Sequence, residues 1–223
     1  MSITVFQEGP DNLLTSLAKV KLTLGITNSD ETYDELLEDF IKESSDFIEN
    51  YTGRKFGLAT VRESVVGNGL PDILLSRTPI LEVLEVMLDE TAYTDYTVYD
   101  KDAGILQRTL GWTSTNIRHD LISPHPSSYG EKRWHITYTG GYVLPSWMGS
   151  SGDRDLPYDL ERACIELVKT DFYNRSRDGT ITQYKQGETS VTWKQSSWDQ
   201  ERGELANLPS RAATVLAYYK RIK

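Results

Sequence analysis

The chain has 223 residues, with 33 acidic against 24 basic side chains and a formal net charge of −9. That balance argues against a protein that grips nucleic acid by neutralising phosphates, which needs a basic patch. No apolar run is long enough to span a bilayer, no basic segment or apolar signal core follows Met1, and the single cysteine, Cys164, admits no disulfide framework within the chain.

The expectation is therefore a chain made and kept in a cytosol-like compartment, away from membranes. Thirteen Tyr and five Trp are many for this length and supply core and contact surface.

Leu13, Leu17, Val20 and Leu24 recur at helical spacing and predict a first amphipathic helix, closed by Gly25. A second helix is predicted over Tyr33 to Tyr51, with Tyr33, Leu36, Leu37, Phe40, Ile41, Phe47, Ile48 and Tyr51 on one face. Thr32 and Glu35 have the spacing of a capping box, and Gly53 ends the helix.

The opposite face carries Asp34, Glu35, Glu38, Asp39, Glu43, Asp46 and Glu49, relieved only by Lys42. Acids four apart repel by a few tenths of a kcal/mol per pair. The ordinary reading is a solvated face; the sharper one is a surface that must not stick to another polyanion.

From Leu58 to Leu144 the period changes. Strands are predicted at Val61 to Val66, Ile73 to Leu75, Ile80 to Leu88, Asp95 to Tyr99, Ile105 to Arg108 and Arg133 to Tyr138. Gly67-Asn68-Gly69 is turn chemistry, Pro79 disfavours a central strand position beside it, and Ser114 to Gly130 reads as a long loop.

Helix returns with Leu160, Ala163, Cys164, Leu167, Val168 and Phe172 behind Pro157. Ile181 to Trp198 reads as a hairpin or a mobile loop. A last helix from Pro209 carries Val215, Leu216, Tyr218 and Tyr219 and runs into Lys220, Arg221 and Lys223.

The expected fold is α+β: residues 1–57 and 155–223 form a helical body, residues 58–150 a β-rich insertion and residues 176–208 a flexible loop or arm. In the body, Phe40, Ile41, Phe47 and Ile48 should pack against Leu160, Cys164, Leu167 and Val168.

Catalytic motifs are missing from the sequence: it has no phosphate-binding glycine loop, no Gly-x-Ser-x-Gly elbow and no His-Glu-x-x-His. His119, His125 and His135 have no metal-ligand spacing to Cys164. Asp100 to Gly104 faintly echoes a calcium loop but lacks the third acid and distal Glu, so a plain turn is favoured. Tyr173 to Arg177 is a small basic-aromatic cluster, read as a helix end matching its dipole. No catalytic residue, metal or cofactor is expected.

Four segments, in order, carry a resemblance. The first runs from Lys21-Leu22-Thr23-Leu24-Gly25-Ile26-Thr27 to the helix end Ile48-Glu49-Asn50-Tyr51-Thr52-Gly53-Arg54-Lys55-Phe56. The second is Arg77-Thr78-Pro79-Ile80 with Val83 and Val86. The third is Tyr99-Asp100 to Gly104-Ile105-Leu106, then Trp112. The fourth is Trp134 to Tyr142, followed by Leu156 to Ala163.

In this order, over about three quarters of the chain, they resemble the head-to-tail connector (adaptor, head-completion) proteins of long-tailed bacteriophages, in the longer form with a β insertion. The resemblance implies a non-enzymatic virion protein of the neck, assembled in the host cytoplasm. Its subunits form a ring, usually twelvefold, beneath the portal protein. The ring joins the DNA-filled head to the tail, extends the DNA channel and offers a platform to the next neck or tail-completion protein.

On that reading, Tyr218, Tyr219, Lys220, Arg221, Ile222 and Lys223 are portal-contact candidates, since they join aromatic anchors to cations on an acidic chain. Asp34, Glu35, Glu38, Asp39, Glu43 and Asp46 are DNA-channel candidates, passing duplex DNA without tight binding; the Arg177–Trp198 segment is the other candidate. The isolated protein should be monomeric or weakly associated and assemble on the portal. The alternatives are another phage neck or tail-completion protein, or a carbohydrate-binding or hydrolytic module using the Trp and Tyr residues and paired acids.

Overall fold

The computed structural model describes residues 2–9, 11–88, 90–113, 133–147, 155–175, 183–186, 189–192 and 209–220. The chain is α+β and divides into two units: Met1–Asn12 with Arg54–Asp155, and Leu13–Gly53 with Leu156–Lys223.

The first unit is built on strands. β1 (Ser2–Glu8), β2 (Ala59–Val65), β8 (Trp134–Gly140), β4 (Ile80–Leu88) and β5 (Thr91–Ala92) form an antiparallel sheet in that spatial order. β3 (Asp72–Leu74), β7 (Ile105–Gln107) and β6 (Thr97–Asp100) form a second antiparallel sheet. Alternate inward residues explain the shared core: Val61, Ile136, Tyr138 and Trp134 from one sheet meet Ile73, Leu75, Leu106 and Trp112 from the other region. Trp112 and Trp134 meet edge to face at 5.1 Å.

One expectation changes here. Ser2–Glu8 is a strand paired with β2, from Ser2 opposite Ser64 to Glu8 opposite Ala59, and joins the β unit, not the helical body. Pro79 sits where its expectation allows: β4 begins just after it and at that end pairs with β8 alone, since β5 reaches only Met87 and Leu88. The missing N–H of Pro79 falls before the ladder, so no strand hydrogen bond is lost.

The second unit holds α1 (Leu17–Leu24), α2 (Asp34–Thr52), α3 (Tyr158–Asn174) and α4 (Ser210–Tyr219), and a hairpin of β9 (Gln183–Gln186) and β10 (Thr189–Thr192). α1 closes at Gly25, whose φ of 74° is the left-handed cap conformation that suits glycine. α2 closes the same way at Gly53 (φ 65°), whose N–H reaches the Glu49 carbonyl at 2.9 Å.

Val20, Leu37, Ile41, Ile165, Val168 and Phe172 form one core cluster, and Leu160, Cys164 and Leu167 are buried on the same helix α3. Ile41 and Ile48 are buried as expected. Phe40 and Phe47 are only half-buried, because Leu37, Ser44 and Ser45 occupy the innermost line of α2.

The capping box does not form. Thr32 donates both its N–H and its hydroxyl to Asp30, and α2 starts after Tyr33. Among the described residues no helix is long and apolar enough to cross a membrane.

Candidate interaction surfaces

Three of the family-like segments converge in the β unit. Arg54 Nη1 donates to Thr78 Oγ1 at 3.1 Å, and the Arg77 guanidinium reaches the Gly57 carbonyl and, at 3.2 Å, the Glu8 carboxylate. Gly141 N–H donates to the Pro79 carbonyl, while Tyr142 exchanges backbone bonds with Phe56 and Leu58. Gly141 sits at φ 106°, and a Cβ there would fall 2.4 Å from the Gly57 oxygen, so glycine is demanded by both conformation and space.

A buried carboxylate ties the same region to the sheet. Glu63 accepts from Ser76 N (3.0 Å), Ser76 Oγ (2.6 Å) and Tyr138 Oη (2.9 Å), and Tyr138 Oη accepts from Arg77 N at 3.0 Å. Burial, with Glu63 beside it, pushes the Tyr138 hydroxyl far above the usual tyrosine range. This arrangement is a brace in which three donors converge on one buried carboxylate.

The acids of α2 sort into three groups. Glu35, Glu38, Asp39, Glu43 and Asp46 are exposed. Asp34 is half-buried and paired with the buried Lys21 at 2.5 Å. Glu49, read from the sequence as part of the solvated face, is buried in the helix's inner line. Lys42 sits 3.4 Å from Asp39. Across from this face, Asp171 of α3 has its pKa raised, first by burial and then by the charge of Glu43.

At the end of α4, Tyr218 is 82% exposed and stands edge to face with Tyr219. Tyr219 Oη donates to Asp159 at 3.0 Å, and Lys220 Nζ lies 4.7 Å from the Tyr51 ring centre. Arg221, Ile222 and Lys223 lie outside the described residues, as do His119, His125 and most of residues 176–208.

The sequence reading missed a third surface, between α1 and α3. Glu161, buried, accepts from Lys19 Nζ (2.6 Å) and Thr15 Oγ1 (3.4 Å). Outside it Lys19 lies over the Tyr158 ring, Arg162 pairs with Glu166 at 3.3 Å and Lys169 lies over Tyr173. Lys19, Tyr158, Glu161, Arg162, Glu166 and Lys169, with Thr23 and Ile165, line a hollow of about 400 Å³. The spacing of Tyr158, Arg162, Lys169 and Tyr173, four, seven and four residues apart on one helix face, was the available signal.

The remaining chemistry is structural. His135 shares a 2.8 Å hydrogen bond with Ser64. Asp100 accepts from the N–H groups of Asp102 and Ala103, making a plain turn. Burial raises the Cys164 thiol pKa to about 12, beside Ser45. Among the described residues, no three His, Cys, Asp or Glu side chains are grouped to hold a metal.

The family model for "Head completion protein" matches residues 13–222. No curated protein matches. Among solved structures, a chain in the neck of an empty gene transfer agent (GTA) particle, computed with C6 symmetry, is 14% identical, with a TM-score of 0.58 over 100% of this chain and 97% of that one. A chain in the virion of a native GTA particle has the same identity, score and coverage. A chain in the neck of a native GTA particle, computed with C12 symmetry, is 16% identical with a TM-score of 0.54, again over 100% and 97%.

At such identities these likenesses speak for the fold. The family match over nearly the whole sequence speaks for membership: this chain belongs to the head completion protein family and is a structural component of the head-to-tail junction.

Proposed function

We propose that this chain is a ring subunit of the virion neck, twelve copies standing beneath the portal. It extends the DNA channel, completes the head after packaging and receives the next neck or tail-completion protein. It works by shape and contact, without catalysis, metal or cofactor, and is assembled in the host cytoplasm. The family match supports the junction role, and the likeness to chains of particle necks computed with C6 and C12 symmetry supports the ring.

The observation that carries the portal contact is the end of α4. Tyr218 is 82% exposed there, beside Tyr219 and ahead of Lys220, Arg221, Ile222 and Lys223, on a chain of net charge −9. An exposed aromatic with neighbouring cations is the composition of a binding anchor. Deleting Tyr218–Lys223 leaves Ala212 and Leu216, the buried residues of α4, in place. The truncated protein should keep its circular dichroism spectrum and lose portal binding by roughly thirtyfold or more. Undiminished binding by the folded truncation refutes the contact.

DNA passes this protein without being gripped. The channel surface comes from the exposed α2 acids or from the Arg177–Trp198 segment. Either suits passage, since a phosphate clamp would hold the genome during ejection.

A further inference from the structure

A ring of identical copies joined head to tail needs two different patches on each subunit, facing apart and matching each other. The helical unit has such a pair. α1, α2 and α3 each pack on the other two, so the outward groove between α1 and α3 lies on the side away from α2. α2 in turn presents its acids outward.

We propose that the α1/α3 groove receives the acidic α2 face of the next copy. The inference rests on the ring reading and deepens it by naming the faces that meet.

The groove has anchors and charge. Tyr158, on its lining, is 76% exposed, and Tyr173, against whose ring Lys169 lies, is 59% exposed. Lys19, Arg162 and Lys169 surround them; Glu161 and Glu166 offset the first two, so the surplus is positive.

The opposing face carries Glu35, Glu38, Asp39, Glu43 and Asp46 against Lys42 alone. Phe40 and Phe47 stand three residues before and four residues after Glu43 and border these acids. Their half-burial leaves apolar area for the groove aromatics to cover. Glu43 also faces Asp171 on the same copy, a like-charge contact that an incoming cation relieves. Matched potentials of this kind set register and suppress wrong pairings more than they add raw affinity.

The test exploits the two-faced geometry. One full-length variant reverses the groove, Arg162→Glu with Lys169→Glu; a second reverses the face, Glu38→Lys with Glu43→Lys. All four side chains are exposed, so circular dichroism and melting should match wild type. Each variant is mixed with purified portal, and portal-bound rings are counted by negative-stain imaging.

Each variant alone should lose at least about tenfold in ring yield, because like charges meet at every junction. The equimolar mixture should recover rings, since alternating copies restore opposite charge at every junction. A single chain carrying all four changes should also form rings.

Rings from either variant alone, or a mixture and four-change chain that both stay dispersed, overturn the proposed faces. Full assembly of the α2 variant with slowed DNA ejection would return that face to the channel. Failure of the wild-type chain to form any ring on portal refutes the ring reading itself.

Discussion

Glu63 offers the most direct test of what holds the β unit together. Its side chain is fully buried and, among the described residues, is the acceptor for Ser76 N, Ser76 Oγ and Tyr138 Oη. Glu63→Leu keeps the volume and removes the acceptor. Tyr138 is fully buried, so its hydroxyl proton is stranded; the Ser76 amide is half-buried and partly so. Each buried orphan costs about 1–3 kcal/mol, giving a loss of about 2–5 kcal/mol.

Urea unfolding followed by tryptophan fluorescence is a suitable assay, because Trp112 and Trp134 are fully buried in the same core. With a slope of about 1–3 kcal/mol/M, the midpoint should fall by about 1 M or more. Tyr138→Phe removes one orphan in advance but deprives Arg77 N–H of its acceptor. The double variant should therefore cost less than the sum of the singles by about 1 kcal/mol. A Glu63→Leu unfolding free energy within about 0.5 kcal/mol of wild type, or strict additivity, refutes the brace.

On α2, Ile48→Ala should cost about 2–4 kcal/mol and half-buried Phe47→Ala distinctly less, read by far-ultraviolet circular dichroism in urea; the reverse order contradicts the observed helix face. The Cys164 thiol, raised to about 12 by burial, stays protonated at neutral and mildly alkaline pH. Its reaction with a disulfide reagent at pH 8 should be at least about a thousandfold slower in the native protein than in denaturant, and equal rates refute its burial. Gel-shift assays at low salt should show no duplex DNA binding, and tight, salt-sensitive binding defeats the non-gripping channel.

Periodicity made much of this fold legible. The 3.6-residue stripe from Leu160 to Phe172 lies buried in α3, and the apolar runs at Ile80–Leu88 and Trp134–Tyr138 are paired strands. β1 was missed although Ile3 and Val5 alternate, because a strand pattern becomes informative only with a partner, and β2 lies about fifty residues on.

Buried charges were missed for a related reason. Lys21, Glu49, Glu63 and Glu161 are all buried, and a pattern rule assigns such residues to solvent. What makes Glu161 tolerable inside is Lys19 and Thr15, more than a hundred residues earlier in the chain. The groove between α1 and α3 was hidden in the same way, since its two walls come from opposite ends of the sequence.

The interleaving of the two units has a consequence for synthesis. Each unit is interrupted by the other: β1 precedes the first helices, yet its partner strand follows them, and α1 and α2 wait for α3 until the β segment has passed. During translation neither core closes when its first half emerges. β1 must remain soluble for about fifty residues' worth of elongation and the α1–α2 pair for about a hundred, which takes about 3–10 s and about 5–20 s at ordinary rates. The heavy acid loading of α2 then has a use before any particle exists: it keeps a half-finished apolar stripe from clinging to other nascent chains.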